Sequence, residues 1–337
     1  MNPQKILFIY RKPNKGNFSI EKVYNSIFNG MKIFPGNSFT IKKKTLKKNY
    51  DFTAFLFSFI SSLFSKKYIV HITGGCNYMV LAFPFKNRVL TIHDLFHFKK
   101  NKNIKGYIYD VLYYHLPIRF SNEVIVVSDN TKQEMLKHFS IDKNKVTVIN
   151  NPLVIASKDI TYREREFKKT SPIKIIQIGD KPLKNYRRLI EATKDLNVYY
   201  NFVHANDIII KKLIKDNGIQ ERAAVHKGIT DKELYNLYDK SDVLFFASEA
   251  EGFGLPIIEA QAFGLQVITS NRSPMDVVGK DAILIDPMDV NAIKSGFLSL
   301  YDDSLIKENS NKAKQNIMIY ELENIVTTYI NFYNSCA

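Results

Sequence analysis

The chain has 337 residues, 45% of them hydrophobic, and a formal net charge of +15 at pH 7. That is apolar material for two domains of ordinary size, and too much for a disordered polymer. No uninterrupted apolar run reaches the roughly 18 residues of a spanning helix, and the opening MNPQKILFIYRK enters a strand-like run without a signal-peptide pattern, so a cytosolic protein is expected.

Taken in chain order, the first half alternates short β-branched or aromatic runs with helical stretches. KILFIY, YIVHITGG, RVLTIHD, EVIVVS and KVTVIN read as strands whose apolar residues are nearly continuous, which suits a parallel sheet covered on both faces. Between the first two lies KKNYDFTAFLFSFISSLFSKK. There Phe52, Phe55, Leu56, Phe59, Ile60, Leu63 and Phe64 recur at i, i+3, i+4 spacing, while Thr53, Ala54, Ser58, Ser61 and Ser62 fall mostly opposite. The pattern predicts an amphipathic helix, with its apolar face either on the first sheet or on a membrane.

The net charge is lopsided. Residues 1–150 carry 24 Lys and Arg against 8 Asp and Glu, a net of +16, whereas residues 151–337 carry 24 against 25, a net of −1. An anionic partner for the first half is implied, and the lysines of IKKKTLKK and HFKKNKNIKG suit an anionic membrane surface. No nucleic-acid-binding module accompanies them, so nucleic acid is not an expected partner. Cys76 and Cys336 are too few and too distant for a disulfide framework or a metal cluster.

Residues 152–172 are polar, charged and bounded by prolines, and read as a connection between an N-terminal domain, 1–151, and a second domain, 173–318. The second domain offers its own strand series: IKIIQIGD, NVYYNFVHA, AAVHKG, DVLFFAS, QVITS and AILIDP. Two successive doubly wound α/β domains are the simplest account. Residues 319–337 read as a closing amphipathic helix that returns to the first domain.

The stretch SEAEGFGLPIIEAQAFGLQVITSN carries the chemistry. Pro256 suits the first turn of a helix and Gly264 its end, so a helix is predicted from Pro256 to Phe263. Its N-terminus, behind Gly252, Phe253, Gly254 and Leu255, offers backbone amides to an anion. Glu251 and Glu259 flank that point. They would repel a phosphate directly, and their fitting task is to accept hydrogen bonds from hydroxyl groups on either side of it. A diphosphate between a ribose and a sugar has this layout. A solvated crossover loop competes with this reading. Lys184, in IGDKPLKNYRRLIEA, holds the equivalent crossover position after another strand and could meet the charge of a departing diphosphate.

These residues resemble the retaining glycosyltransferases of the GT-B fold, the large family 4 group, over nearly the whole chain. The pair of glutamates with seven residues between them, around Gly-Phe-Gly-Leu-Pro, is reproduced by Glu251, Gly252, Phe253, Gly254, Leu255, Pro256 and Glu259. The resemblance implies two Rossmann-like domains facing across a cleft and a nucleotide-sugar donor (UDP-, GDP- or ADP-linked). It implies Glu251 on the donor sugar, Glu259 on the ribose and Lys184 on phosphate. RVLTIHDLFHF resembles the family's strand ending in His-Asp, which makes His93 the histidine directed at the donor sugar. Leu183 stands where a second basic residue is common, and Lys181 is the substitute. His204 stands where a glycine turn is usual, and Gln266 where proline is usual. The glycine-rich first loop is matched only by Gly16, and Gly74 and Gly75 form another candidate loop. Retention by front-face transfer is implied, without metal, cofactor or covalent nucleophile, to a glycan or lipid-linked acceptor of surface polysaccharide. Attachment would be peripheral, on the inner face of the cytoplasmic membrane. A non-catalytic module of the same fold and a nucleotide-sugar epimerase are the competing readings, and a dinucleotide oxidoreductase is disfavoured because no G-x-G-x-x-G follows a strand.

Overall fold

The computed structural model describes residues 4–13, 19–36, 39–48, 50–64, 68–96, 98, 103–179, 181–205 and 207–336. The chain separates into two compact units, Met1–Val154 with Glu321–Ala337, and Ile155–Tyr320.

The first unit is built on a parallel six-stranded sheet in the order β2-β1-β3-β4-β5-β6. Its strands are β1 (Gln4–Tyr10), β2 (Phe39–Thr45), β3 (Ile69–Ile72), β4 (Asn87–Ile92), β5 (Glu123–Val126) and β6 (Val146–Val148). Ile6, Phe8, Val70, Ile72, Val89, Leu90 and Val124 are all buried, so both faces of the sheet are covered. Each such side chain contributes about 1.5–3 kcal/mol. The strand β2 is absent from the sequence reading because FTIKKKT looks like a charge cluster. It lies at the sheet edge, where lysines oppose edge-to-edge pairing with another chain.

The helix Leu322–Ser335 belongs to this unit and packs on the helix Ser19–Ile33. A buried polar chain fastens it there. His71 Nδ1 lies 2.5 Å from Tyr333 Oη, His71 Nε2 lies 2.8 Å from Thr91 Oγ1, and Tyr24 Oη donates to Thr91 Oγ1 at 2.6 Å. Buried polar groups must be paired in this way, and each of these bonds joins segments far apart in sequence.

Which way the amphipathic helix beside the first sheet faces is open in the sequence. The helix Phe52–Phe64 forms, but Ser58 and Ser62 are its buried residues and most of its large apolar side chains are exposed. Small serines let the helix lie close to the body of the unit. Their hydroxyls are not stranded there, since Lys44 Nζ donates to Ser58 Oγ and Ser62 Oγ donates to Phe59 O.

The second unit carries a parallel sheet ordered β12-β11-β10-β7-β8-β9. Its strands are β7 (Ile173–Ile178), β8 (Val198–Val203), β9 (Ala223–His226), β10 (Val243–Phe246), β11 (Gln266–Ser270) and β12 (Ile283–Ile285). The chain runs outward from β7 through β8 to β9, then returns to the other side of β7 at β10. The strand direction of travel therefore reverses between β7 and β10, and in the first unit between β1 and β3. In open α/β sheets ligands sit beyond the carboxyl ends of the strands at such reversals. No helix among the described residues is long and apolar enough to cross a membrane.

Candidate active site

In the second unit the loops leaving β7 and β10 emerge side by side at the reversal. The first contains the turn Pro182–Lys184 and leads through Asn185 into the helix Tyr186–Thr193. The second runs from Ala247 to Gly254 and opens the helix Leu255–Ala262, shifted by one residue at each end from the predicted span. Backbone and side chains lock the two loops together. Glu249 N donates to Leu183 O at 2.9 Å, and Asn185 Nδ2 donates to Ala247 O at 3.2 Å and to Pro287 O at 2.6 Å. Asn185 holds a left-handed backbone, φ 61°, which Asn tolerates better than most residues.

This frame brings Lys184 and Glu251 into contact, with Nζ 2.5 Å from Oε1 and 4.4 Å from the centroid of the Phe246 ring. A second pair lies in the same loops, Arg188 Nη1 with Glu249 Oε1 at 2.9 Å, and the same guanidinium nitrogen bonds Asn185 Oδ1 at 2.9 Å. Asn185, Arg188 and Glu249 escape the sequence reading. The only local signal of Asn185 and Arg188 is a polar KNYRR run at a helix start, and Glu249 stands two residues before Glu251 outside the motif. Ser248 Oγ and Gln177 Oε1 are buried at the ends of β10 and β7 with no hydrogen-bond partner among the described residues. Lys181 is exposed at the head of the turn, where its carbonyl accepts from Lys184 N.

Gly254 caps the helix with φ 112°, a conformation L side chains rarely adopt, and this lets the backbone reach Leu255 at the first helical position. Gly252 and Leu255 are half-buried beside it. The first N–H groups of a helix have no partner within it, and the N-terminus is the positive end of its dipole, which is the end this turn forms. For Phe253 the sequence reading expects a contact through the backbone amide. Its side chain is buried edge-on against Tyr320, ring centroids 5.7 Å apart, so only its backbone can meet a ligand. Glu259, half-buried, accepts from Tyr238 Oη at 2.9 Å. Burial, and next to it the Glu259 charge, holds the Tyr238 phenol well above its ordinary pKa, so it remains a donor.

Two of the departures from the family pattern, His204 and Gln266, have structural explanations. His204 stands exposed at φ 53°, so the position keeps the left-handed turn that glycine would adopt. Gln266 is buried and donates to Ser310 Oγ at 2.8 Å, tying β11 to the helix Asp303–Ile319.

In the first unit the loops after β1, β3 and β4 gather at the other reversal. His93 follows β4, with Nε2 3.0 Å from Thr73 O. A carbonyl only accepts, so Nε2 carries the proton, and burial keeps the ring pKa below the ordinary imidazole value. The neutral ring thus retains Nδ1 as an acceptor. A Cβ on Gly74, φ 92°, would stand 2.6 Å from His93 Cδ2, so the bare glycine lets the imidazole lie against the β3 loop. Arg11 lies beside Gly75 and forms a two-pronged pair with Glu21, Nε to Oε1 2.7 Å and Nη2 to Oε2 3.3 Å. Arg11 and Glu21 are also absent from the sequence reading, because their loop lacks the glycine-rich pattern. Gly16 lies outside the described residues. Burial pushes the Cys76 thiol up to about 12, so it is no nucleophile at neutral pH. Among the described residues no three His, Cys, Asp or Glu side chains gather as a metal-ligand group.

Comparison with known proteins gives this arrangement a family. Residues 158–318 match Glycosyl transferases group 1, and residues 37–156 match Glycosyltransferase Family 4. The chain is 27% identical over 295 residues to O-antigen chain mannosyltransferase B of Escherichia coli, covering 80% of this chain and 74% of that one. It is 26% identical over 225 residues to MMP alpha-(1->4)-mannosyltransferase of Mycolicibacterium hassiacum, covering 63% of this chain and 53% of the relative, so it spans about half of that protein. A glycosyltransferase from Rickettsia africae superposes with a TM-score of 0.75 at 17% identity, over 100% of this chain and 99% of the other. Its likeness concerns the fold, which is the two-domain GT-B arrangement of Rossmann-like sheets.

Proposed function

We propose, starting from the fact that this chain belongs to the group 1, family 4 glycosyltransferases, that it transfers a sugar from a nucleotide-sugar donor to a glycan or lipid-linked acceptor of surface polysaccharide. Retention of anomeric configuration is part of the proposal. The observation that carries it is the contact of Lys184 with Glu251 at the β7/β10 reversal, beside the open helix turn at Gly252–Leu255. Two of the relatives named above are mannosyltransferases, which makes a mannosyl donor the first to test.

In this reading the donor diphosphate lies at the helix turn, with Lys184 meeting the charge that grows on the leaving oxygen. Lys181 or Arg188 supplies further positive charge. Glu251 accepts from the sugar hydroxyls and Glu259 from the ribose. The bond from the anomeric carbon to the phosphate oxygen breaks. The acceptor oxygen bonds the same carbon on the same face, and its proton passes to the departing phosphate. No enzymic nucleophile and no metal are assigned, because a lysine and helix amides stabilise a departing phosphate electrostatically, an effect worth about 10²–10³ in rate for one donor. The reaction belongs to the cytoplasm, where nucleotide sugars are made.

Thermal-shift measurements with UDP-, GDP- and ADP-linked sugars, GDP-mannose among them, test the reading, since a ligand that binds only the folded state raises its stability. One nucleotide family should stabilise the protein, and the matching sugar should appear in product with its anomeric configuration kept on NMR analysis. Inversion would overturn the retaining assignment, and no stabilisation by any nucleotide sugar would overturn the donor site.

A further inference from the structure

Arg188 is the third residue of the helix Tyr186–Thr193. One nitrogen of its guanidinium, Nη1, donates both to Asn185 Oδ1 and to Glu249 Oε1, each at 2.9 Å. The Asn185 amide nitrogen in turn donates to Ala247 O at 3.2 Å and to Pro287 O at 2.6 Å. Carbonyls only accept and a guanidinium only donates, so these partners fix which way the Asn185 amide lies. Ala247 and Glu249 belong to the loop after β10, and Pro287 to the loop after β12. Arg188 and Asn185 therefore form one junction that ties three loops at the carboxyl end of the second sheet.

Lys184 hangs from this junction. It immediately precedes Asn185, and its stem crosses Gly179, where a Cβ would stand 2.8 Å from Lys184 Cγ and Cε. Its ammonium then lies 4.4 Å from the Phe246 ring centroid and 2.5 Å from Glu251 Oε1. Glu251 follows two residues after Glu249, whose N–H donates to Leu183 O at 2.9 Å and whose carboxylate takes Arg188. The Arg188 and Glu249 side chains are each 30% exposed, more shielded than the surface ion pairs that contribute little.

We propose that Arg188 and Glu249 are positioning residues for transfer: their pair holds the loops after β7 and β10 so that Lys184 is aimed at the leaving phosphate, which neither of them touches. The proposal rests on the reading of Lys184 as the cation of the departing diphosphate. A displacement of about 1 Å at a reacting centre costs about 10²-fold in rate, so slack in this junction weighs more on turnover than on donor affinity. The competing role for Arg188 is a phosphate contact of its own. Such a contact would act whether or not Lys184 is present, whereas a positioning residue has no effect once the group it positions is gone.

A mutant cycle separates the two roles. The reaction followed is release of nucleoside diphosphate from the nucleotide sugar that stabilises the protein, GDP-mannose being the first tried. Arg188→Ala and Glu249→Ala should each lower kcat by about tenfold or more, with the donor KM changed by less than about threefold. Combining the two should cost no more than either alone, because the residues act as a unit. Glu249→Gln keeps an acceptor for Arg188 and should retain most of the rate. In a Lys184→Met background, already slow, Arg188→Ala should cost less than about twofold further. Rates are compared well below the unfolding midpoint of each variant, so that a loss of folded protein is not read as a loss of turnover. An equal loss from Arg188→Ala with and without Lys184 overturns the proposal in favour of a direct phosphate contact, and an unchanged kcat in folded Arg188→Ala overturns it outright. Full turnover by Lys184→Met would instead overturn the reading of Lys184 itself, and the proposal with it.

Discussion

Lys184 Nζ rests 2.5 Å from Glu251 Oε1, so the cation assigned to the diphosphate and the carboxylate assigned to the sugar neutralise each other without a ligand. Both side chains are mostly shielded, 19% and 16% exposed, so neither charge is well served by water. A donor entering this site must give Lys184 a phosphate and Glu251 a hydroxyl in exchange. The pair therefore holds both groups in place beforehand and also competes with the ligand for the lysine.

Glu251→Gln separates these two effects. Removing the competitor should leave free nucleoside diphosphate bound as tightly as before or several-fold tighter, while transfer falls by about 10² or more because a charge-accepting contact to the sugar is lost. Calorimetry with the diphosphate and turnover with the sugar nucleotide give the two numbers. A tenfold weaker diphosphate affinity would mean that Glu251 serves chiefly to position Lys184.

The site's motif is legible in sequence because it is local: one loop and one helix turn hold Glu251 through Glu259, and turn chemistry acts at short range. What the sequence hides is tertiary. Arg188 meets Glu249 across 61 positions and Asn185 reaches Pro287 across 102, and no spacing rule connects such residues. The strand β2 is hidden differently, since Lys42, Lys43 and Lys44 are poor strand formers that an edge position accepts. The helix Phe52–Phe64 shows that periodicity reveals two faces without saying which is inward. There the serines pack against the unit, and the apolar stripe is left for something outside it.

Glu259 offers a separable test of the ribose contact. Hydrogen bonds to a charged group are worth about 1.5–3 kcal/mol, so Glu259→Ala should weaken nucleotide binding by about 10- to 100-fold. It also strands the buried Tyr238 hydroxyl, so some loss of stability is expected with it. Glu259→Ala combined with Tyr238→Phe should recover that stability without recovering affinity. An unchanged dissociation constant in the folded single variant would remove Glu259 from the ribose.

Transfer should persist in excess EDTA. The assignment of the leaving-group charge to Lys184 and the Gly252–Leu255 turn needs no divalent ion for this step. Activity lost with chelator and restored by Mg²⁺ or Mn²⁺ would reassign that charge. Lys184→Met serves as the companion variant, with a rate loss of about 10²–10³ at saturating donor.

His71 should make the first unit acid-sensitive well above the range of its carboxylates. Burial, with a smaller push from His93, brings the His71 pKa down to about 3, against about 6.5 in an unfolded chain. The surrounding Tyr24, Tyr329 and Tyr333 have pKa values raised chiefly by burial and stay protonated, so they add no titration in this window. Below pH 6.5 the unfolded chain takes up a proton that the folded ring refuses. The stabilising contribution is therefore complete above that value and declines as the pH falls toward 3. At pH 5 the loss from His71 is about 2 kcal/mol, at about 1.4 kcal/mol for each pH unit. His93, whose pKa burial also lowers, acts in the same direction. Urea unfolding of the full chain between pH 7.5 and 5, followed through a probe in the first unit, measures the slope, and His71→Gln should flatten it while lowering stability at pH 7.5. An NMR titration in which the folded-state His71 ring protonates with a midpoint near 6 would sink this account, because the polar chain through Thr91 and Tyr333 would then tolerate the charge.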